Sequence, residues 1–166
     1  MATKKQPLYT YLLKVTTDRF AIFDDNCPLN IGKGDDDSEI YTNIGVKFGV
    51  DANKQAIAVV FSFELSCNEK TMLIVEPALH FGVEEESWKS IFNPKTNLIK
   101  LDHGTAAHLL GICIGTARGI LHTKTEGTRL NGYFVPLMHP TEIITEDIII
   151  HWEEPINVNV EDETNV

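Results

Sequence analysis

Six histidines, three cysteines and 24 acidic residues are the side chains here that could do chemistry. A histidine titrates near neutral pH and serves as a base or a metal ligand. A zinc pair on a helix needs histidines four residues apart, whereas His103 and His108 are five apart and face different ways. His80, His122, His139 and His151 lie alone. No H-E-x-x-H, no G-x-S-x-G and no paired carboxylate constellation occurs. Neither a P-loop nor a G-x-G-x-x-G opening a helix after a strand is present, and Gly32-Lys33-Gly34 lies among aspartates that would repel phosphate. Cys27, Cys67 and Cys113 are far apart and form no C-x-x-C pair. The expectation is a protein that is not an enzyme, with no catalytic residue, no metal and no cofactor.

The net charge of −10 narrows the partners. Residues 24–39 hold six acidic groups against Lys33, and residues 153–166 hold five against none, so these two stretches carry the whole imbalance. A duplex-binding face needs clustered lysine and arginine, so no nucleic acid partner is expected, and an anionic membrane surface is disfavoured likewise. Three unpaired thiols fit a reducing compartment, and Leu8–Val15 is too short and mixed for a signal peptide. A cytoplasmic location is expected.

The length of 166 residues suits one domain, taken as 1–152, with 153–166 as an acidic disordered tail. Four strands are predicted: 8–23 with a bulge or bend at Thr16–Arg19, 40–50, 56–66 and 71–81. The third alternates cleanly, with Ile57, Val59, Phe61, Phe63 and Leu65 on one face. Pro77 marks the fourth as an edge strand or a bulge. Short turns join the last three, so an antiparallel meander is expected. The acidic stretch 24–39 is a long loop. A short helix or turn follows at 84–92, then a main helix from an Asp102 cap to about Lys124, with Gly127 as the stop. Beyond Pro140 a second helix is favoured over a strand at Ile148–Ile150. The fold class is α+β, a four-stranded antiparallel sheet followed by a long helix packed on it.

The main helix carries Gly111, Gly115 and Gly119 at four-residue spacing, one face of the helix. Each glycine costs about 0.5–1 kcal/mol relative to alanine. Three such losses imply a smooth groove for close approach by the chain's own sheet or by another copy of the helix. Apolar residues wrap more than one face, so a subunit interface is expected beyond the sheet contact. His108, Arg118 and the glycines argue against a membrane span.

Leu13-Lys14-Val15-Thr16-Thr17-Asp18-Arg19-Phe20, the order of four long strands then one long helix, and Ala117-Arg118, Gly127-Thr128, Phe134-Val135-Pro136-Leu137 and Glu142-Ile143 after it resemble the SecB-type protein-export chaperones. The resemblance covers roughly residues 10–150. It implies an acidic homotetramer, or a dimer, packed through its helices. It also implies an ATP-independent holdase that grips unfolded or nascent polypeptides in apolar grooves between crossover loop, sheet and helix. An export ATPase or an antitoxin is then a further partner. The client-binding residues expected are Phe20, Ile22, Phe23, Leu29, Ile31 and Tyr41, with Trp88 as an addition. The interface expected is Gly111, Gly115 and Gly119.

Two other readings compete. A non-enzymatic module of the same fold would bind one specific protein. A hot-dog thioesterase would use His103-Gly104 at the helix start, but there the sheet follows the helix, and no acidic residue lies between His103 and Lys124 here.

Overall fold

The computed structural model describes residues 7–26 and 39–153. The expected crossover-loop residues Leu29 and Ile31, and the tail from 154 onward, lie outside them. Four long strands form one antiparallel sheet: β1 (Thr10–Ile22), β2 (Ile40–Asp51), β3 (Ala56–Cys67) and β4 (Lys70–Val83). Their spatial order is β1-β4-β3-β2. Only the last three strands make a meander. The first returns beside the fourth, a Greek-key arrangement in which residues 23–39 join opposite edges of the sheet.

Local chemistry sets the turns. Asn68 and Glu69 both have positive φ, 48° and 64°, and Cys67 pairs with Lys70. That is a two-residue primed turn, whose twist matches the flanking strands. Asn68 also exchanges two hydrogen bonds with Glu39, its N–H donating to the Glu39 carbonyl (3.0 Å) and its Oδ1 accepting from the Glu39 N–H (3.1 Å). The start of β2 is thereby fixed against the β3–β4 turn.

Pro77 sits in a central strand, not at an edge as the sequence allowed, and the neighbouring strands adapt to it. Pro77 lies opposite Thr17, and the β1 register shifts between Thr17 and Arg19. The bend expected there is thus a bulge. A second register shift lies between Leu12 and Lys14. It breaks the simple alternation of Tyr9, Tyr11, Leu13 and Val15. Leu12, Val15, Phe20 and Ile22 lie opposite Phe81, Leu79, Val75 and Leu73, so all four share the core side of the sheet.

After β4 come α1 (Glu85–Ile91), β5 (Phe92–Asn93), β6 (Leu98–Leu101) and the long α2 (His103–Thr125). Asp102 caps α2, its Oδ1 accepting from Thr105 N–H (3.2 Å) and its Oδ2 from Thr105 Oγ1 (2.7 Å). Gly127 follows the helix with φ +78°, as a stop signal should. By length and composition α2 could cross a membrane, with mean hydropathy 1.2, yet nine of its side chains are buried in the core. They include Ala106, Leu109, Leu110, Cys113, Ala117 and Leu121. Their spacing makes one stripe that lies on β3 and β4. At its centre the Cys113 thiol reaches the carbonyls of Val59 (3.5 Å) and Pro77 (3.7 Å). Burial pushes this thiol up to about 11, so it is an unreactive packing group.

The region past Pro140 is not the second helix expected. It makes one turn, α3 (Pro140–Ile143), and then the strand β7 (Ile148–His151). The β-branched run pairs with β6 in a small sheet of order β5-β6-β7. Asp147 joins this sheet to the helix start. Its Oδ1 accepts from His103 N–H at 3.0 Å and lies 3.4 Å from His103 Nδ1, and its Oδ2 pairs with Lys100 at 3.1 Å. The His103 N–H bond first, then Lys100, draws the Asp147 carboxyl down to about 2.

The depressed Asp147 pKa gives a prediction with a definite sign. A carboxylate favoured in the folded state adds stability above its ordinary pKa of 3.8 and loses it as pH falls through about 2. Thermal unfolding of the wild type and of Asp147→Asn should differ fully at pH 5. The difference should vanish towards pH 2. A gap independent of pH would show that the ion pairs do not act through charge.

Candidate functional site

The sheet is four strands wide, and α2 covers its middle. Strands β3 and β4 are buried along their helix side from Ile57 to Leu65 and from Leu73 to Val83. On the same side of the edge strands, Leu12 and Val15 of β1 are 53% and 45% exposed, and Ile40 and Ile44 of β2 are 39% and 38% exposed. Ile40 and Ile44 lie opposite the buried Cys67 and Phe63, which places them on the core side. An apolar strip therefore runs along each flank of the helix. Because β1 and β2 are the sheet's outer strands, each strip borders a row of backbone N–H and C=O groups without an in-sheet partner.

The β1 strip is the richer one. Leu12 and Val15 lie on it and are more exposed than Ile40 and Ile44, while Tyr11 lies over Gly82 on the other side of the sheet. At the far end of β1, Phe20 and Ile22 are half-buried against the core, and Lys124 Nζ stands 5.1 Å from the Phe20 ring centroid. Phe23 is exposed, while its N–H donates to the Met72 carbonyl at 2.8 Å. Arg129 then ties the chain down, donating from Nη2 to the Asp24 carbonyl (2.7 Å) and pairing with its carboxylate.

Phe20, Ile22 and Phe23 thus lie together at one edge. Tyr41 does not join them. It is on β2, the opposite edge, and faces the other side of the sheet beside Ser66. Its hydroxyl donates to the Glu39 carboxylate, which raises the phenol above its ordinary pKa. Trp88, unlike the exposed Tyr41, is not at the surface. It is 4% exposed, with its ring 5.5 Å from that of Phe92, and belongs to the core. A helix of seven residues packs Trp88 inward because Glu85, Glu86 and Lys89 take the wet side.

Two further exposed apolar groups are not among the client-binding residues expected from the sequence. Arg118 donates from Nε to the Val135 carbonyl (3.3 Å) and from Nη2 to the Pro136 carbonyl (2.6 Å), holding residues 134–137 extended beside α2. Val135 is buried, and Phe134 and Leu137 on either side point to solvent. The signal was present as an apolar-Pro-apolar run, but only the tertiary contact shows which members face outward.

The three helix glycines separate into two kinds. A side chain at Gly111 would meet Pro140 Cγ at 3.3 Å, so that glycine admits the chain's own α3. Gly115 and Gly119 have nothing within 4 Å of where a Cβ would be. They face away from the sheet, so the close approach they permit is not used inside the described residues. Ile112, 40% exposed, lies on the same outer face.

No protein-family profile matches the chain, and no curated protein matches it. Among solved structures it is similar to a SecB-like chaperone of Mycobacterium tuberculosis, determined in complex with a ChAD peptide from the HigA1 antitoxin. The identity is 14%, the match covers 78% of this chain and 90% of that one, and the TM-score is 0.49. A protein of unknown function from Streptococcus agalactiae is similar at 10% identity, over 80% of this chain and 99% of the other, with a TM-score of 0.41. Both likenesses are distant.

Gly115 offers a direct check on the outer helix face. In a chain whose glycine faces open solvent, Gly115→Ala should stabilise by about 0.5–1 kcal/mol through helix propensity alone. Urea unfolding at low protein concentration measures this. Destabilisation there would mean that the face is packed.

Proposed function

We infer that this protein is an ATP-independent holdase of SecB-like type that binds unfolded or nascent polypeptides. The observation that carries the reading is the incomplete cover of the sheet, which leaves apolar strips along both flanks of α2, each beside an open strand edge. An extended client can add main-chain hydrogen bonds to such an edge and lay alternate side chains on the strip. Main-chain bonding is indifferent to sequence, and apolar burial at roughly 25 cal/mol per Å² is nearly so. That combination suits a promiscuous binder. Leu12, Val15, Phe20, Ile22 and Phe23 line the β1 side, and Ile40 and Ile44 line the β2 side.

In this reading the protein works in the cytoplasm, without catalysis, nucleotide or metal. It assembles as a homo-oligomer, dimer or tetramer, through the outer face of α2 around Gly115 and Gly119. Its clients then pass to an export ATPase, or one client such as an antitoxin is favoured over the rest.

The first test dilutes a denatured protein into buffer with stoichiometric amounts of this chain, without nucleotide, and follows light scattering. Suppression of aggregation with several unrelated clients is expected, and Leu12→Asp combined with Val15→Asp should abolish most of it. Unchanged scattering with every client would overturn general chaperoning. The assembly is tested by Gly115→Leu, in which a bulky side chain blocks close helix approach. Light-scattering mass should fall to that of a smaller species while circular dichroism is unchanged. An unaltered mass would remove this helix face from the interface.

A further inference from the structure

The side of the sheet away from α2 carries a second feature that polypeptide capture does not use. Across one end of all four strands lies a cavity of about 430 Å³. This is within the range typical of small-molecule sites. Its apolar lining comes from Leu13, Ala56 and Ala58, and its polar groups are Lys14, Lys54, His80 and Asp51. Such a mixture, an apolar floor with a few charged groups at the rim, is how small amphipathic ligands are held.

Three glycines lie on this side of the sheet, and they are not equivalent. A Cβ at Gly45 would stand 2.4 Å from Ser62 Oγ, and one at Gly82 would stand 2.4 Å from the Tyr11 ring. Both positions are therefore filled by the chain's own neighbours. A Cβ at Gly49 would meet only Ala58 Cβ, at an ordinary 3.8 Å. Gly49 lines the cavity, and the protein itself puts nothing in the space its missing side chain leaves.

Charge indicates what fits. The whole chain is strongly acidic, yet this cavity gathers two lysines and a histidine around one aspartate. Lys54 Nζ already pairs with Asp51 at 3.0 Å. Lys14 makes no ion pair among the described residues, and Lys47 stands on the same side of the sheet, two positions from Gly49. The local balance is one uncompensated cation at the cavity itself. A monoanion satisfies it. A phosphate dianion would be opposed by Asp51.

We propose that this cavity binds a small amphipathic carboxylate, its charged end at Lys14 and its apolar body on Leu13, Ala56 and Ala58 over Gly49. A fatty acid and the C-terminus of a peptide with an apolar last residue share that chemistry. The site lies on the opposite side of the sheet from the strips flanking α2, so it stands or falls separately from the holdase reading.

Isothermal titration calorimetry with octanoate and with N-acetyl-leucyl-leucine tests it. Saturable one-to-one binding of at least one is expected, with octanol and the peptide amide bound at least tenfold more weakly. Lys14→Gln should weaken the carboxylate about tenfold, the loss of one charge-assisted bond. Gly49→Val, a strand-compatible change that fills the floor, should abolish binding while thermal unfolding and aggregation suppression stay as in the wild type. Octanoate alone binding points to a lipid-derived ligand, and the peptide alone points to a chain terminus. Binding of neither up to millimolar concentration, or binding that survives Gly49→Val, would overturn the proposal.

Discussion

A single α-helix is about 10 Å across and neighbouring strands stand about 4.8 Å apart, so one helix shields two strands of a sheet and leaves its borders uncovered. This mismatch of widths governs the molecule. The sheet has four long strands, and α2 is the one long helix among the described residues. The helix takes β3 and β4, whose inward side chains are almost fully buried, and the edge strands keep apolar residues that the fold does not enclose. Leu12 and Val15 on one edge and Ile40 and Ile44 on the other are left half-wet for that reason. An ordinary protein would place lysine or glutamate at such positions.

The contact between helix and sheet is made possible by small residues. Ala106, Ala107, Cys113 and Ala117 let the helix approach closely, and Leu109, Leu110, Ile114 and Leu121 fill the space beside them. The approach is close enough for Cys113 to reach main-chain carbonyls where Pro77 removes an N–H from the ladder. Ser in place of Cys113 would make stronger hydrogen bonds but lose apolar contact. The thiol serves both needs. On the outer side of α2 the small residues mean something else, because Gly115 and Gly119 meet nothing. Equal spacing of three glycines concealed two different surroundings.

The fold was largely legible in the sequence. Strong alternation in β3, the Asp102 cap and the Gly127 stop are local signals, and each holds in the structure. The bulge in β1 was legible from Thr16–Arg19 but the one at Leu13 was not, because a bulge depends on the partner strand. The strand β7 was misjudged as helix. Pro140 does open a helix, but it ends after one turn, and the run Ile148–Ile150 finds a partner in β6, which lies some 50 residues earlier in the chain. The candidate site was less legible. Phe20, Ile22 and Phe23 share an edge, whereas Tyr41 lies on the opposite edge and face, and Trp88 is in the core. Aromatic identity marks a residue as able to bind, and says nothing of which way it points.

The sequence by itself determined the α+β class, the positions of the four long strands and the long helix, and the lack of any recognisable catalytic motif. Each of these follows from side-chain periodicity, capping or spacing within about twenty residues of chain. Only the tertiary structure decided that β1 lies beside β4, that β1 and β2 are the open edges, that Gly49 lines a cavity, and that Gly115 and Gly119 face open space. Those facts depend on which strands pair across long separations and on how much of a sheet one helix can cover. No local pattern encodes either, because exposure belongs to the packed assembly of elements and not to any one of them.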